Sequence, residues 1–306
     1  MAATTAETGA GSRLEYNAVT IGEITRISVP MPLSDAEVTP LLTDIEQYLP
    51  TMREMTCSVS GNWRADLYGR SATAPDLVAA WKSPVLTGDL WKLRFPDTAG
   101  TLWSFNAFIR SLSITVIPDQ PVTFDLDMRL VLNASSEYLT IATNGVTPTS
   151  DLAAIGEGLF VRVSNDVGDA VVELHEPTGF RITMTRGESE ATHLQSGFKR
   201  EFLPTKRGFT FEIDANTTWS AVASRASVLV EATSDTQPSF HGIWKAHKRA
   251  DFQVAWKNEA GIAGPLFHKW SMSGVMNDIR TELTHDVVRS TIPVRGTGEI
   301  TIATEA

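Results

Sequence analysis

One short string closes both halves of this 306-residue chain: Leu139-Thr140-Ile141-Ala142-Thr143 in the middle and Ile300-Thr301-Ile302-Ala303-Thr304 at the end, 161 residues apart. In the same spacing Ala99-Gly100 recurs as Ala260-Gly261, Thr123 as Thr284 and Asp125 as Asp286. Upstream, Leu49-Pro50-Thr51-Met52-Arg53-Glu54-Met55-Thr56 is echoed by Leu203-Pro204-Thr205-Lys206-Arg207-Gly208-Phe209-Thr210 at a spacing of 154, and Asn62 falls on Asn216. Any one match could arise by chance; their collinear order carries the argument. A repeat at domain length, and not at the roughly 20 to 50 residues of solenoids or propeller blades, predicts two tandem copies of one domain. The copies fall at residues 13–143 and 153–305, joined by a turn-rich linker over 144–152, with seven extra residues in the second copy between Asn216 and Ala260.

Each half is long enough to bury its own core at 42% hydrophobic content. No stretch approaches the ~18 to 20 uninterrupted apolar residues of a membrane helix, and the first ten residues lack a basic-then-apolar leader, so the expectation is a protein made and kept inside a cell with no membrane partner. The single cysteine, Cys57, excludes an internal disulfide and sits in an alternating apolar context that suits a small core residue better than a nucleophile. A net charge of -10 disfavours sequence-independent nucleic-acid binding, which needs clustered Lys and Arg.

Most of the chain alternates. Met55, Cys57 and Val59 oppose Thr56, Ser58 and Ser60; Phe209, Phe211 and Ile213 oppose Thr210, Glu212 and Asp214. The same period marks Trp91 to Phe95, Phe252 to Trp256, Trp103 to Ile109, Leu112 to Val116, Val122 to Leu130, Phe180 to Thr185 and Thr297 to Ile302. Side chains of a strand point alternately to opposite faces, so these are half-buried strands and the fold is mainly β, a β-barrel or β-sandwich in each copy. Short flanking helices are predicted over Thr39 to Leu49 and Ala74 to Lys82, each with proline near its start, and more weakly over Ala223 to Ala232. Residues 187–199 and 231–241 read as long polar loops.

Catalytic constellations are weak, and no enzymatic role, metal or cofactor is expected. The six histidines are scattered without zinc-ligand spacing, and the glycine pairs at 156/158 and 296/298 lack the context of a phosphate loop. Gly187-Glu188-Ser189-Glu190-Ala191 lacks the strand-to-helix setting of a nucleophile elbow, which leaves Ser189 a loop serine. Asp125 and Asp127 lie two apart on one strand face, a spacing that acid/base chemistry can use, but their Thr and Arg neighbours suit a solvated face better. Trp63, Trp219 and Trp244, beside polar turns, are candidate subunit-contact aromatics.

Two copies of a β-rich domain, short helices, long loops, one cysteine, an acidic balance and the Ser60-Gly61-Asn62-Trp63 turn after an alternating strand resemble the tail tube (major tail) proteins of long-tailed bacteriophages, in their tandem-domain variety. That resemblance implies a small β-barrel or sandwich flanked by a helix, sheets joined edge to edge around a channel, and rings stacked into a tube through which DNA passes. It implies a homotrimer closing a pseudo-hexameric ring, with tape-measure, tail-terminator and baseplate proteins as partners, residence in the virion tail and in the host cytoplasm before assembly. A conduit for a polyanion should not bind it, which makes Asp125, Asp127, Glu212 and Asp214 candidate lumen-facing acids. The competing readings are a tandem β-sandwich that binds carbohydrate or a cell surface and, more distantly, a glycoside hydrolase using Asp125 or Asp127.

Overall fold

The computed structural model describes residues 12–16, 19–30, 33–37, 48–63, 77–82, 88–95, 101–135, 137–143, 158–190, 202–217, 225–229, 238–258, 266–283 and 288–305. In chain order the first half supplies β1 (Arg13–Tyr16), β2 (Val19–Ser28), β3 (Leu33–Glu37), β4 (Tyr48–Arg53), β5 (Thr56–Trp63), α1 (Leu77–Lys82), β6 (Asp89–Arg94), β7 (Thr101–Val116), β8 (Thr123–Val131) and β9 (Thr140–Thr143). The second supplies β10 (Phe160–Val163), β11 (Val172–Glu173), β12 (Pro177–Glu190), β13 (Phe202–Asn216), α2 (Phe240–Lys245), β14 (Arg249–Asn258), β15 (Leu266–Met276), β16 (Arg280–Leu283) and β17 (Val288–Glu305). All strand ladders are antiparallel, and the expectation of a mainly β fold with short helices holds.

Hydrogen bonding in the first half runs β7–β6–β1–β2–β5–β8 and returns to β7, so the sheet closes on itself as a barrel. Closure removes most free edges. The second half follows the same order as β11–β10–β14–β15–β17–β13–β12, with β11 and β12 together at the place of β2 and no ladder between those two among the described residues. Registers repeat too. Tyr16 pairs Val19 and Trp91 as Val163 pairs Val172 and Phe252. Leu93–Trp103 matches Val254–Trp270, Cys57–Met128 matches Phe211–Val294, and Trp103–Ile141 matches Trp270–Ile302. The separate β3–β4 hairpin, with Leu33–Arg53, Asp35–Pro50 and Glu37–Tyr48, matches the far end of β12–β13, with Arg186–Arg207, Glu188–Pro204 and Glu190–Phe202; both carry a bulge at the same step.

Among the described residues one β-ladder crosses between the halves, six residue pairs long, from Phe180–Val116 to Thr185–Ser111 between β12 and β7. Its inward pairs, Val116 with Phe180, Ile114 with Ile182 and Leu112 with Met184, are all at most 1% exposed, so the joint fuses the two apolar interiors into one cluster. Burying each such side chain contributes about 1.5–3 kcal/mol. The largest fully buried groups include Trp63, Trp91, Trp256, Trp270, Phe180, Phe211 and Phe252. Gly296 is demanded by this packing: a Cβ there would lie 2.0 Å from the Phe209 ring.

Several local expectations are corrected. Ser60–Trp63 is strand, not turn, because Asn62 pairs Thr123 on one side and Glu23 on the other. Gly187–Glu190 is also strand, continuing β12, so Ser189 is a strand residue paired with Leu203. Residues 225–229 form isolated bridges, Leu174 to Ala226 and Ser227 to Ser239, instead of a helix. The second short helix is α2, started by Ser239, whose hydroxyl accepts from the Gly242 amide at 2.9 Å. Tyr48 and Leu49 belong to β4, not to the end of a helix, while residues 38–47 and the linker 144–152 lie outside the described residues. The helix predicted before Lys82 is present as α1.

The proposed match of Thr123 to Thr284 and Asp125 to Asp286 is shifted in space. Asp125 pairs Ser60 and Ser113, whereas the residue that pairs the corresponding Asp214 and Arg280 is Thr291. Thr123 corresponds in the same way to Arg289. Length differences in the connections slide each strand by its own amount, so a single spacing cannot align a whole half.

Candidate functional site

Because a β-strand alternates, the ladders that bury one face must present the other together. Six strands, β5, β8, β7, β12, β13 and β17, are consecutive neighbours across the joint between the halves, and their outward residues fall into lateral rows. One row reads Ser60, Asp125, Ser113, Thr183, Thr210 and Arg295. The next reads Asn62, Thr123, Thr115, Arg181, Glu212 and Pro293. A third begins Ser58, Asp127, Ser111 and Thr185, and Asp214 with Thr291 extends the polar surface beyond the second row. All of these are exposed or half-buried, while the alternate residues are core.

The four carboxylates singled out from the sequence, Asp125, Asp127, Glu212 and Asp214, are thus brought to one continuous face although they belong to different halves. Ser60 donates to Asp125 at 2.6 Å, Ser58 to Asp127 at 3.0 Å and Thr291 to Asp214 at 2.6 Å. Across the joint the Ser113 and Thr183 hydroxyls lie 2.9 Å apart. Each of these three aspartates thus accepts from a hydroxyl on the neighbouring strand. Arg181, Arg289 and Arg295 stand on the same face, Arg181 directly beside Glu212, so the face is mixed in charge.

At one end of the face sits an ionic cluster that sequence reading missed. Arg129 of β8 donates from Nε to Glu188 at 3.1 Å and from Nη1 to Glu54 at 3.2 Å, and pairs again with Glu188 through Nη2. Arg110 approaches Glu188 at 3.4 Å and Asp127 at 3.5 Å. The Arg129 guanidinium also lies 4.0 Å from the centre of the Phe202 ring. Burial of Arg129 works against its charge, but Glu188 and then Glu54 outweigh it and hold the group above its ordinary value. This cluster ties β8 of the first half to the β12–β13 hairpin of the second. Its signal in the sequence was hidden because the bulge between Arg186 and Glu188 breaks the period-two pattern.

The candidate contact aromatics separate. Trp63 is 1% exposed, edge-on to Phe124 at 5.6 Å, and belongs to the core, so it offers no surface to a neighbour. Trp244 is 39% exposed on α2, with its ring 6.1 Å from that of His241. Trp219 lies outside the described residues. Cys57 is fully buried, and burial, reinforced by Asp127, pushes its thiol up to about 12, which makes it an inert core residue. Among the described residues no helix is long and apolar enough to cross a membrane, and no group of three or more His, Cys, Asp or Glu is placed to hold a metal ion.

No family model matches the sequence, and no curated protein matches it. Among solved structures, a chain from the virion of a native gene transfer agent particle superposes on 45% of this chain and 100% of its own length, with a TM-score of 0.35 and 14% identity.

Proposed function

We propose that this chain is a structural virion protein, the tail tube protein of a long-tailed phage or phage-like particle, in which two copies of one barrel are fused and three chains close each ring. The observation that carries the reading is the polar face: one uninterrupted sheet surface, rich in Ser and Thr, running across both halves through the β12–β7 ladder. A duplex needs a wide, wet, sequence-indifferent wall, and a ladder of sheets joined edge to edge supplies one. The repeated strand pairings support a duplicated domain, since two unrelated barrels would have no reason to share both register and bulge position. On this reading the chain is not an enzyme and needs no cofactor. Its partners are further copies of itself, then tape-measure, terminator and baseplate proteins at the tube ends, and it resides in the virion tail after assembly in the host cytoplasm. Negative-stain microscopy of the purified protein at high concentration tests it. Rings or tubes are expected; compact monomers alone would favour a surface-binding module.

A further inference from the structure

Within the chain, the joint between the halves uses two particular edges: the end of β7, Ser111–Val116, and the start of β12, Phe180–Thr185. The repeated registers say where the same two edges lie in the opposite halves. Ser113, Ile114 and Thr115 pair Asp125, Phe124 and Thr123 of β8, as Arg280, Thr281 and Glu282 of β16 pair Thr291, Ser290 and Arg289 of β17. Phe180 pairs Ile213 of β13 as Ile27 pairs Val59 of β5, so Ile27 to Pro30 occupy the place of Phe180 to Thr183. In the first half the β7 edge is filled by β12. Among the described residues β16 is paired on its β17 side alone, and β2 beyond Glu23 is paired on its β5 side alone.

We propose that these two free edges are each other's partners between successive copies of this chain, so that β16 of one protomer pairs antiparallel with the end of β2 of the next and repeats the internal joint. Carrying the internal register across gives Leu283 opposite Ile27, Glu282 opposite Ser28 and Thr281 opposite Val29. Pro30, which has no N–H to give, ends the ladder. Arg26, Ser28, Arg280, Thr281 and Glu282 are exposed, and an unpaired strand edge is a template for another chain. The contact joins two different edges, so it is head to tail and propagates the polar face from protomer to protomer. The inference rests on the ring reading above and names the surfaces that would close the ring.

Opposed residues on adjacent antiparallel strands lie close enough for a disulfide. The test is therefore the Ser28→Cys, Glu282→Cys double variant of the full chain, oxidised at a concentration where light scattering shows association. The buried Cys57 contributes no background. Interchain products on a non-reducing gel are expected, with a three-chain species as the largest, while each single variant stays a monomer on the gel. No product from an associating double variant, or equal products from the single variants, overturns the pairing. Hydrogen exchange on the unmodified protein keeps the test independent of the substitutions: those amides among 27–29 and 281–283 that face away from β5 and β17 should gain at least tenfold protection on assembly, and unchanged exchange overturns the proposal. A ladder of products running past three chains supports the edges and refutes the closed ring. Three-chain rings without cross-linking or protection refute the edges alone, and a chain that stays monomeric at every concentration refutes both.

Discussion

Phe211 is 1% exposed and touches the rings of Phe180, Phe209 and Phe252, with the Phe252 ring edge-on at 5.0 Å. Truncating such a residue removes its transfer energy and leaves a cavity that fixed neighbours cannot fill. Phe211→Ala should therefore cost about 3–5 kcal/mol in denaturant melts; a loss below about 1 kcal/mol would place the ring outside the core. The burial of Phe211 was legible in the sequence because Phe209, Phe211 and Ile213 alternate with polar residues. Trp63 was not, since a polar turn inferred from Ser60-Gly61-Asn62 put it at the surface. Two neighbouring strands capture that segment and turn the indole inward against Phe124.

The longest strands, such as β12 over Pro177–Glu190, do separate work at their ends and in their middles. The middle of β12 pairs β7 and fuses the halves, whereas its end, past the bulge, sends Glu188 back to Arg129 and Arg110. Arg129 has a side chain 7% exposed and depends on that carboxylate, so Glu188→Gln should destabilise the chain by about 1–3 kcal/mol, because a charged hydrogen bond is weakened where water cannot replace it. An unchanged urea midpoint would mean that Glu54 alone suffices. Most strands could be read from their period of two, because each has one wet and one dry face. The β12 end could not: a bulge reverses the faces, and Gly187, Glu188 and Ser189 then imitate a polar loop. The helix α2 was hidden for a different reason, being six residues long, too short to show a helical stripe, and announced chiefly by the Ser239 cap.

At the scale of the whole molecule, matched strings could be read in the sequence, while the register in which the strands of the two halves pair could not. Matched strings at 139–143 and 300–304 do occupy matched edges, Ile141 on Trp103 and Ile302 on Trp270, but insertions slide β8 against β17 so that Asp125 corresponds to Thr291. The common polar face could be foreseen strand by strand, yet its continuity depends on the β7–β12 ladder, which no local pattern announces. If that face lines a conduit, Glu212→Lys with Asp214→Lys adds cations where phosphates pass. Particles carrying the pair should assemble normally and deliver DNA more slowly, since each added cation can exchange counterions with the duplex. Delivery at the wild-type rate would remove both residues from the lumen.

The central claim is that one chain contributes two positions to a closed ring. Cryo-electron microscopy of assembled tubes reads this directly from the number of chains per ring and the repeat around the axis. Three chains with pseudo-six-fold symmetry are predicted, the β12–β7 joint alternating with a second joint of the same kind; six full chains per ring, or no ring at all, would contradict it.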